Sequence, residues 1–222
     1  MFISVLKELR RSNLKSVYFN LKYLPFRKAI HLPMRVSRHC TFMSVKGILE
    51  IQSKITPGMI HIGYGEVGIF DRKRERSVWN VRGKIIFKGN CYLGHGIKVN
   101  VTETGTVTFG HKVNFTAESA IDCQKEISFG DECLVSWENL FLDGDYHEIL
   151  DSTGKIINEP RGINIGTHVW IGCRCLILKG TEIADNCIVS AGSVLRGKYN
   201  LPNCIIGGSP PKVIKENISW KV

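Results

Sequence analysis

Seven aliphatic residues stand six apart without exception: Ile165, Ile171, Ile177, Ile183, Val189, Leu195 and Leu201. Four residues after each comes a second register, Val169, Cys175, Thr181, Cys187, Ser193, Tyr199 and Ile205, whose members are mostly small or β-branched. A period of six does not fit an α-helix, whose faces recur every 3.6 residues, and a lone strand alternates every two residues without pause. Here turn formers interrupt at Gly180, Asp185-Asn186, Gly192 and Gly197. A short strand, a corner and another strand at a fixed angle satisfy the pattern. Three such steps close a triangular coil, and coils stack as parallel strands about 4.7–4.9 Å apart. The aliphatic residue of each step fills the prism, and the second register needs small side chains beside the corner. A β-sandwich of short strands is the alternative, but seven unbroken steps favour the coil.

A first ladder precedes this one: Val81, Phe87, Leu93 and Val99, then Phe109, Phe115 and Ile121, then Phe129, Val135 and Phe141. Its step is lost across Thr102 to Thr106 and slips by two before Phe129, as expected where residues are pushed out of a corner. The 222 residues are long enough for one main domain with an appendage. The expected division is a basic, partly helical segment over 1–45 and a parallel β-helix over 46–222. The first fifty residues carry ten Lys and Arg against two Glu, whereas the rest of the chain is nearly balanced. Phe2, Val5, Leu6 and Leu9 lie at helical spacing, and Leu14, Val17, Tyr18 and Leu21 repeat it after Ser12-Asn13, a helix-cap signal. The expectation is a helix whose apolar face covers the open end of the prism while its charges face water, with peripheral contact to anionic lipid as an added role. Nucleic acid is not expected, because the basic run lacks interleaved stacking aromatics.

Eight cysteines include no C-x-x-C pair, and Cys91, Cys133, Cys175 and Cys187 fall on the small-residue register. They read as small core hydrophobes, with neither a metal site nor a disulfide framework, and free thiols point to the cytoplasm. No run of 18 apolar residues occurs and no signal-peptide pattern opens the chain, so a membrane-spanning or secreted protein is not expected.

Between the two ladders lies a polar interruption, Asp143 to about Gly162, far too long for a corner. It opens with Asp143-Gly144-Asp145-Tyr146-His147. A carboxylate that accepts one ring N–H of an imidazole fixes its tautomer and stabilises the imidazolium, as a general base requires. On its own such a loop histidine is more often a plain surface residue. His168, His111 and His95 lie in or beside glycine-containing turns and are expected to face solvent.

Gly166-Thr167-His168-Val169-Trp170-Ile171-Gly172, Ile177-Leu178-Lys179-Gly180, Ala191-Gly192-Ser193-Val194 and Gly207-Gly208-Ser209-Pro210-Pro211-Lys212-Val213-Ile214 resemble the C-terminal coils of the hexapeptide-repeat acyltransferases. These are left-handed parallel β-helix enzymes that include galactoside and maltose O-acetyltransferases. The segment Tyr18 to Arg27 and the Asp-x-Asp-x-His of the loop are similar to the branch that acetylates capsular or other surface polysaccharides. The handedness is implied by this resemblance alone; the general rule for parallel crossovers would give the opposite hand.

The resemblance implies acetyl-CoA as co-substrate, a sugar or polysaccharide hydroxyl as acceptor, and a homotrimer with clefts between subunits. His147 stands at the catalytic histidine, with Asp145, or failing it Asp143, orienting the ring. Asn114 and Asp122 keep the spacing of an acceptor-binding pair, and Trp170 flanks the reacting centre. Cys173 and Ala191 stand where backbone amides hold the pantetheine arm, and Lys212 and Lys215 where cations meet the nucleotide phosphates. Arg196, also assigned to the cofactor, replaces the usual Thr of a Thr-Lys pair, and Pro211 replaces a small residue. An amino-sugar N-acyltransferase, a γ-class carbonic anhydrase and a catalytically silent scaffold are the rival readings; the second needs three converging histidines whose spacing is absent.

Overall fold

The computed structural model describes residues 12–71 and 74–221. The chain winds around a three-faced prism. Met34–Val36 lies on the first face, Cys40–Val45 on the second and Ile48–Ile51 on the third, and Ile60–Tyr64 then returns to the first. Each strand pairs in parallel with the strand one turn later, giving sheets of nine, seven and seven strands. The last strand, Pro211–Lys215, folds back antiparallel on Ile205–Gly208.

Where the ladder is regular the coil has its expected length, since Trp170 pairs with Ile188 and Leu176 with Val194. Earlier turns are longer: Val99 pairs with Ile121 and Phe109 with Phe129. The added residues sit in corners, so the inward row survives. Phe87, Phe109 and Phe129 stack on successive turns, with ring centroids 5.2 and 5.6 Å apart. Ile165, Ile171, Ile177, Ile183, Val189 and Leu195 are all buried in the core, beside Val169, Cys175, Thr181, Cys187 and Ser193. The ladder ends one step early. Leu201 is exposed, and Tyr199 pairs with Ile183 in its place, because the corner after Leu195 is two residues short. All eight cysteines are free thiols and seven are buried.

The corners from the third face to the first repeat a device. Lys112, Glu132, His168 and Asn186 each adopt positive φ there, between 54° and 59°. Each donates its backbone N–H to the turn before, as His168 does to Asp131 at 2.7 Å. Asparagine suits this conformation; the other residues accept a local cost because the stacked corner offers that hydrogen bond.

A helix over Leu14–Tyr23, here α1, covers the open end of the prism, capped by Asn13, whose side chain accepts from Ser16 N. The expected cap position holds, but its face is the reverse of the one expected. Leu14, Tyr18 and Leu21 are exposed, while Ser16, Phe19 and Asn20 are buried. The surface being covered is a strand edge rather than an oily patch. Ser16 Oγ accepts from Val36 N at 2.9 Å, and Asn20 accepts from Met34 N at 3.2 Å and donates to Met34 O at 2.7 Å. These side chains satisfy backbone groups that an uncovered edge would leave unpaired. Phe19 supplies the apolar plug, 5.2 Å from the buried Trp79 ring, whose Nε1 donates to Tyr23 at 3.0 Å. The earlier group Phe2, Val5, Leu6 and Leu9 lies outside the described residues. The expected boundary at 45/46 falls inside the first coil, which already begins at Met34. Among the described residues no helix is long and apolar enough to cross a membrane.

Candidate active site

The segment 143–162 leaves the corner between the second and third faces, after Leu140–Leu142 and before Ile163–Ile165. Asp143 is its root. Its fully buried carboxylate accepts from the backbone N–H groups of Gln124, Lys125 and Glu126 at 2.6, 2.9 and 2.7 Å. That use is structural: the carboxylate ties the start of the loop to the corner of the preceding turn, and it is not available to an imidazole.

Asp145 is engaged elsewhere too. Lys179 donates to Oδ2 in a short ion pair, and Asn158 Nδ2 donates to the same oxygen at 2.8 Å. The lysine first, then the amide, hold this carboxyl below its ordinary pKa. The expected contact between Asp145 and the ring of His147 is therefore replaced by an indirect one. Asn158 Nδ2 also donates to His147 O at 2.8 Å, so one amide joins the carboxylate to the histidine backbone. Lys179 Nζ further donates to Asn158 O at 2.7 Å.

Between them, Tyr146 adopts positive φ, 63°, which turns the chain sharply before His147. Its hydroxyl donates a short hydrogen bond to Asp122 Oδ1 and accepts from Asn100 Nδ2 at 2.8 Å. Asn80, Asn100 and Asp122 face outward on successive turns of the second face, linked by amide hydrogen bonds of 2.8 Å. Burial, and then the hydrogen bond to the Asp122 carboxylate, push the Tyr146 phenol above its ordinary pKa. Three consecutive residues, 145 to 147, are thus anchored. The His147 side chain stays exposed at a shallow cleft of about 170 Å³, shared with Gln124, Tyr146, Asn158 and Pro160, and among the described residues no hydrogen bond restrains its ring.

The remaining expected site residues divide by face. Asn114 and Trp170 share the outward row of the first face, both in register with Leu134. Asn114 lines a cavity of about 310 Å³ with His61, Tyr92 and Lys112. Burial, followed by the nearby Arg35, holds His61 below the usual imidazole pKa. Trp170 is exposed along one side and donates Nε1 to Ser136 Oγ at 3.2 Å. Cys173 and Ala191 sit at the next corner on successive turns, joined where Gly192 N donates to Cys173 O at 2.9 Å. The two turns approach closely at this point, since a Cβ on Gly172 would lie 2.6 Å from Ala191 N. Lys212 and Lys215 are exposed on the antiparallel strand that ends the same sheet. Asp122 is on the second face with the loop, not in the Asn114 row, and Arg196 lies at the corner between the second and third faces. One chain therefore holds the expected site residues in two separate groups: the His147 loop with Asp122, and a column of Trp170, Cys173, Ala191, Lys212 and Lys215. Exposed and half-exposed leucines on the second face, Leu140, Leu142, Leu176 and Leu178, lie between them.

Sequence reasoning missed Tyr146, Asn100, Asn158 and Lys179. Tyr146 was legible only as part of the Asp-x-Asp-x-His run, and the irregular length of the early coils hid the Asn80–Asn100–Asp122 row. His95 is buried, not solvent-facing. With Glu75 and Glu118 it forms the group among the described residues whose potential metal-ligand atoms converge within 4.8 Å. Burial and the adjacent Glu118 raise the Glu75 carboxyl to about 7, and Lys98 donates to Glu118 at 2.8 Å. His168 is half-covered by the Trp220 ring, stacked at 4.1 Å.

Residues 162–197 match the family model described as bacterial transferase hexapeptide (six repeats). The chain is 33% identical over 142 residues to an uncharacterized 24.8 kDa protein of the cps region of Klebsiella pneumoniae, covering 64% of this chain and 63% of that one. It is 28% identical over 144 residues to a putative lipopolysaccharide biosynthesis O-acetyl transferase of Escherichia coli, covering 60% of this chain and 72% of that one. The chain thus spans less than two thirds of the Klebsiella protein's length. A solved galactoside acetyltransferase in complex with coenzyme A shares the fold, with a TM-score of 0.50 and 20% identity over 60% of this chain and 64% of its own.

Proposed function

From a hexapeptide-repeat left-handed β-helix with this loop, we propose an acetyltransferase that moves an acetyl group from acetyl-CoA to a hydroxyl of a sugar, in a surface polysaccharide or its precursor. The carrying observation is His147, whose backbone is anchored through Asn158 and through the two residues that precede it while its ring is left free at a cleft. That is the arrangement a general base needs: a fixed origin, an unoccupied nitrogen and access to the acceptor. The relatives that act in lipopolysaccharide synthesis or on galactosides support the acceptor class.

The column on the first face suits coenzyme A. Trp170 offers an exposed indole, the corner of Cys173 and Ala191 offers close-packed backbone, and Lys212 and Lys215 offer cations for phosphates. When bound, coenzyme A supplies the acyl group as a thioester. His147 takes the proton of the acceptor hydroxyl and holds it as imidazolium for return to the leaving group. Asp145 acts as a positioning residue through Asn158 and Lys179, and Asp122 through Tyr146. The amide of Asn114 or a backbone N–H is the donor for the developing oxyanion.

The two half-sites occupy different faces, so the pocket is completed by pairing the loop of one copy with the column of the next. Three copies close such a ring, and the leucines of the second face supply its contact surface. The reaction belongs in the cytoplasm, where acetyl-CoA is made.

The test is acetyl transfer from acetyl-CoA to hydroxyl-bearing and amino-bearing sugars, with the wild type beside His147→Ala. General-base loss lowers turnover by ~10²–10⁴-fold, and binding of coenzyme A is retained. Undiminished transfer in the variant removes His147 from the mechanism. Transfer to amino acceptors alone replaces the hydroxyl reading with N-acylation.

A further inference from the structure

We propose that the helical cap docks the protein on an anionic lipid surface. The observation is the inverted face of α1. Because the helix turns Ser16 and Asn20 inward to satisfy the edge strand, its apolar stripe points away from the prism: Leu14 is 88% exposed, with Tyr18 and Leu21 beside it at helical spacing. The short helix that follows, Phe26–Ala29, adds Phe26, 71% exposed, and Ile30 at its end. Large apolar side chains gathered this way on a surface mark a contact rather than a solvated face.

Charge identifies the occupant. Between Glu8 and Glu50 the chain contains no acidic residue but nine Lys and Arg. The first turn of α1 carries none of the acids that its dipole would favour, while Lys22, Arg27 and Lys28 are exposed alongside the apolar stripe. A second copy of the same positive face would be repelled by like charge across a two-fold contact. A bilayer with anionic headgroups accepts both parts of the patch, apolar side chains at the acyl boundary and cations at the phosphates. This inference does not depend on the proposed reaction.

The experiment is sedimentation of the full chain with vesicles of phosphatidylcholine alone or mixed with phosphatidylglycerol, at low and high salt. The patch predicts binding to the mixed vesicles only, weakened by salt. Replacing Lys22, Arg27 and Lys28 by Gln lowers the partition by roughly 10²-fold, at about fivefold per basic residue near the surface. The double variant Leu14→Ser, Phe26→Ser also lowers it and leaves circular dichroism and melting unchanged, since both side chains are in solvent. Absence of binding to mixed vesicles, equal binding to both kinds, or variants that bind like the wild type overturns the proposal. So does a fall in solution mass of the double variant, which would assign the face to a subunit contact.

Discussion

The hydroxyl of Tyr146 donates to Asp122, a residue one coil earlier on the second face, and the same hydroxyl accepts from Asn100 one coil before that. The contact binds the loop to a row of outward polar side chains and sets the direction in which the next residue, His147, leaves the backbone. Anchors at the two residues before His147, together with the Asn158 hydrogen bond to its backbone, stand in place of the single direct carboxylate contact that was expected. Tyr146→Phe removes a hydrogen bond to a charged group, of about 1.5–3 kcal/mol. The expected result is a kcat lowered by about tenfold or more with KM for acetyl-CoA little changed, measured by steady-state transfer. An equal fall in thermal stability with unchanged kcat would make the contact structural only.

Asp143 and Asp145 separate cleanly by experiment. Asp143→Ala removes a buried carboxylate that accepts from three part-buried backbone N–H groups and is expected to cost about 3 kcal/mol of stability, read as a large drop in Tm or in soluble yield. Asp145→Asn leaves the melting temperature nearly unchanged because the side chain is exposed, and lowers kcat by loosening Asn158 and the His147 backbone. The opposite pattern would exchange their roles.

The stacked Phe87, Phe109 and Phe129 rings fill the prism interior over three successive turns. Phe109→Ala is expected to destabilise by about 3–5 kcal/mol, since a rigid column of strands leaves little room for the cavity to collapse. Chemical denaturation measures it; a loss below about 1 kcal/mol would show that the coil repacks.

Glu75 gives a pH dependence of defined sign. Its carboxyl is raised in the folded chain to about 7 by burial and by Glu118. The unfolded chain ionises near the ordinary value, so the folded state binds more protons in between. Its contribution to stability is full below the ordinary carboxylate range and is lost as pH rises through about 7. The Tm of the wild type should therefore decline across this interval, and Glu75→Gln should flatten the decline; an unaltered slope would assign it to other groups.

The proposed ring of subunits predicts a solution mass near three times the 25.0 kDa chain by light scattering. Leu176→Glu, placed on the second face between the half-sites, should reduce both mass and activity together. A monomer with full activity would require one chain to hold a complete pocket.

The six-residue period of Ile165 to Leu195 was enough to specify the prism, because a coil with three equal sides points every sixth residue inward, each from the next face in turn. The same reasoning placed the thiols in the core, marked the end-capping helix and singled out the 143–162 excursion. It failed at contacts between residues far apart in sequence. Periodicity reports which way a side chain faces only when the covering surface is apolar; α1 covers a strand edge, so its polar residues turned inward and its leucines outward. Likewise the adjacency of Asp143, Asp145 and His147 suggested a direct pairing, whereas Asp143 is held by the 124–126 corner and Asp145 by Lys179 and Asn158. Which residues share a row across coils depends on how many extra residues each corner absorbs, and that count was settled by the stacking of the coils, where backbone pairing and packing must close together.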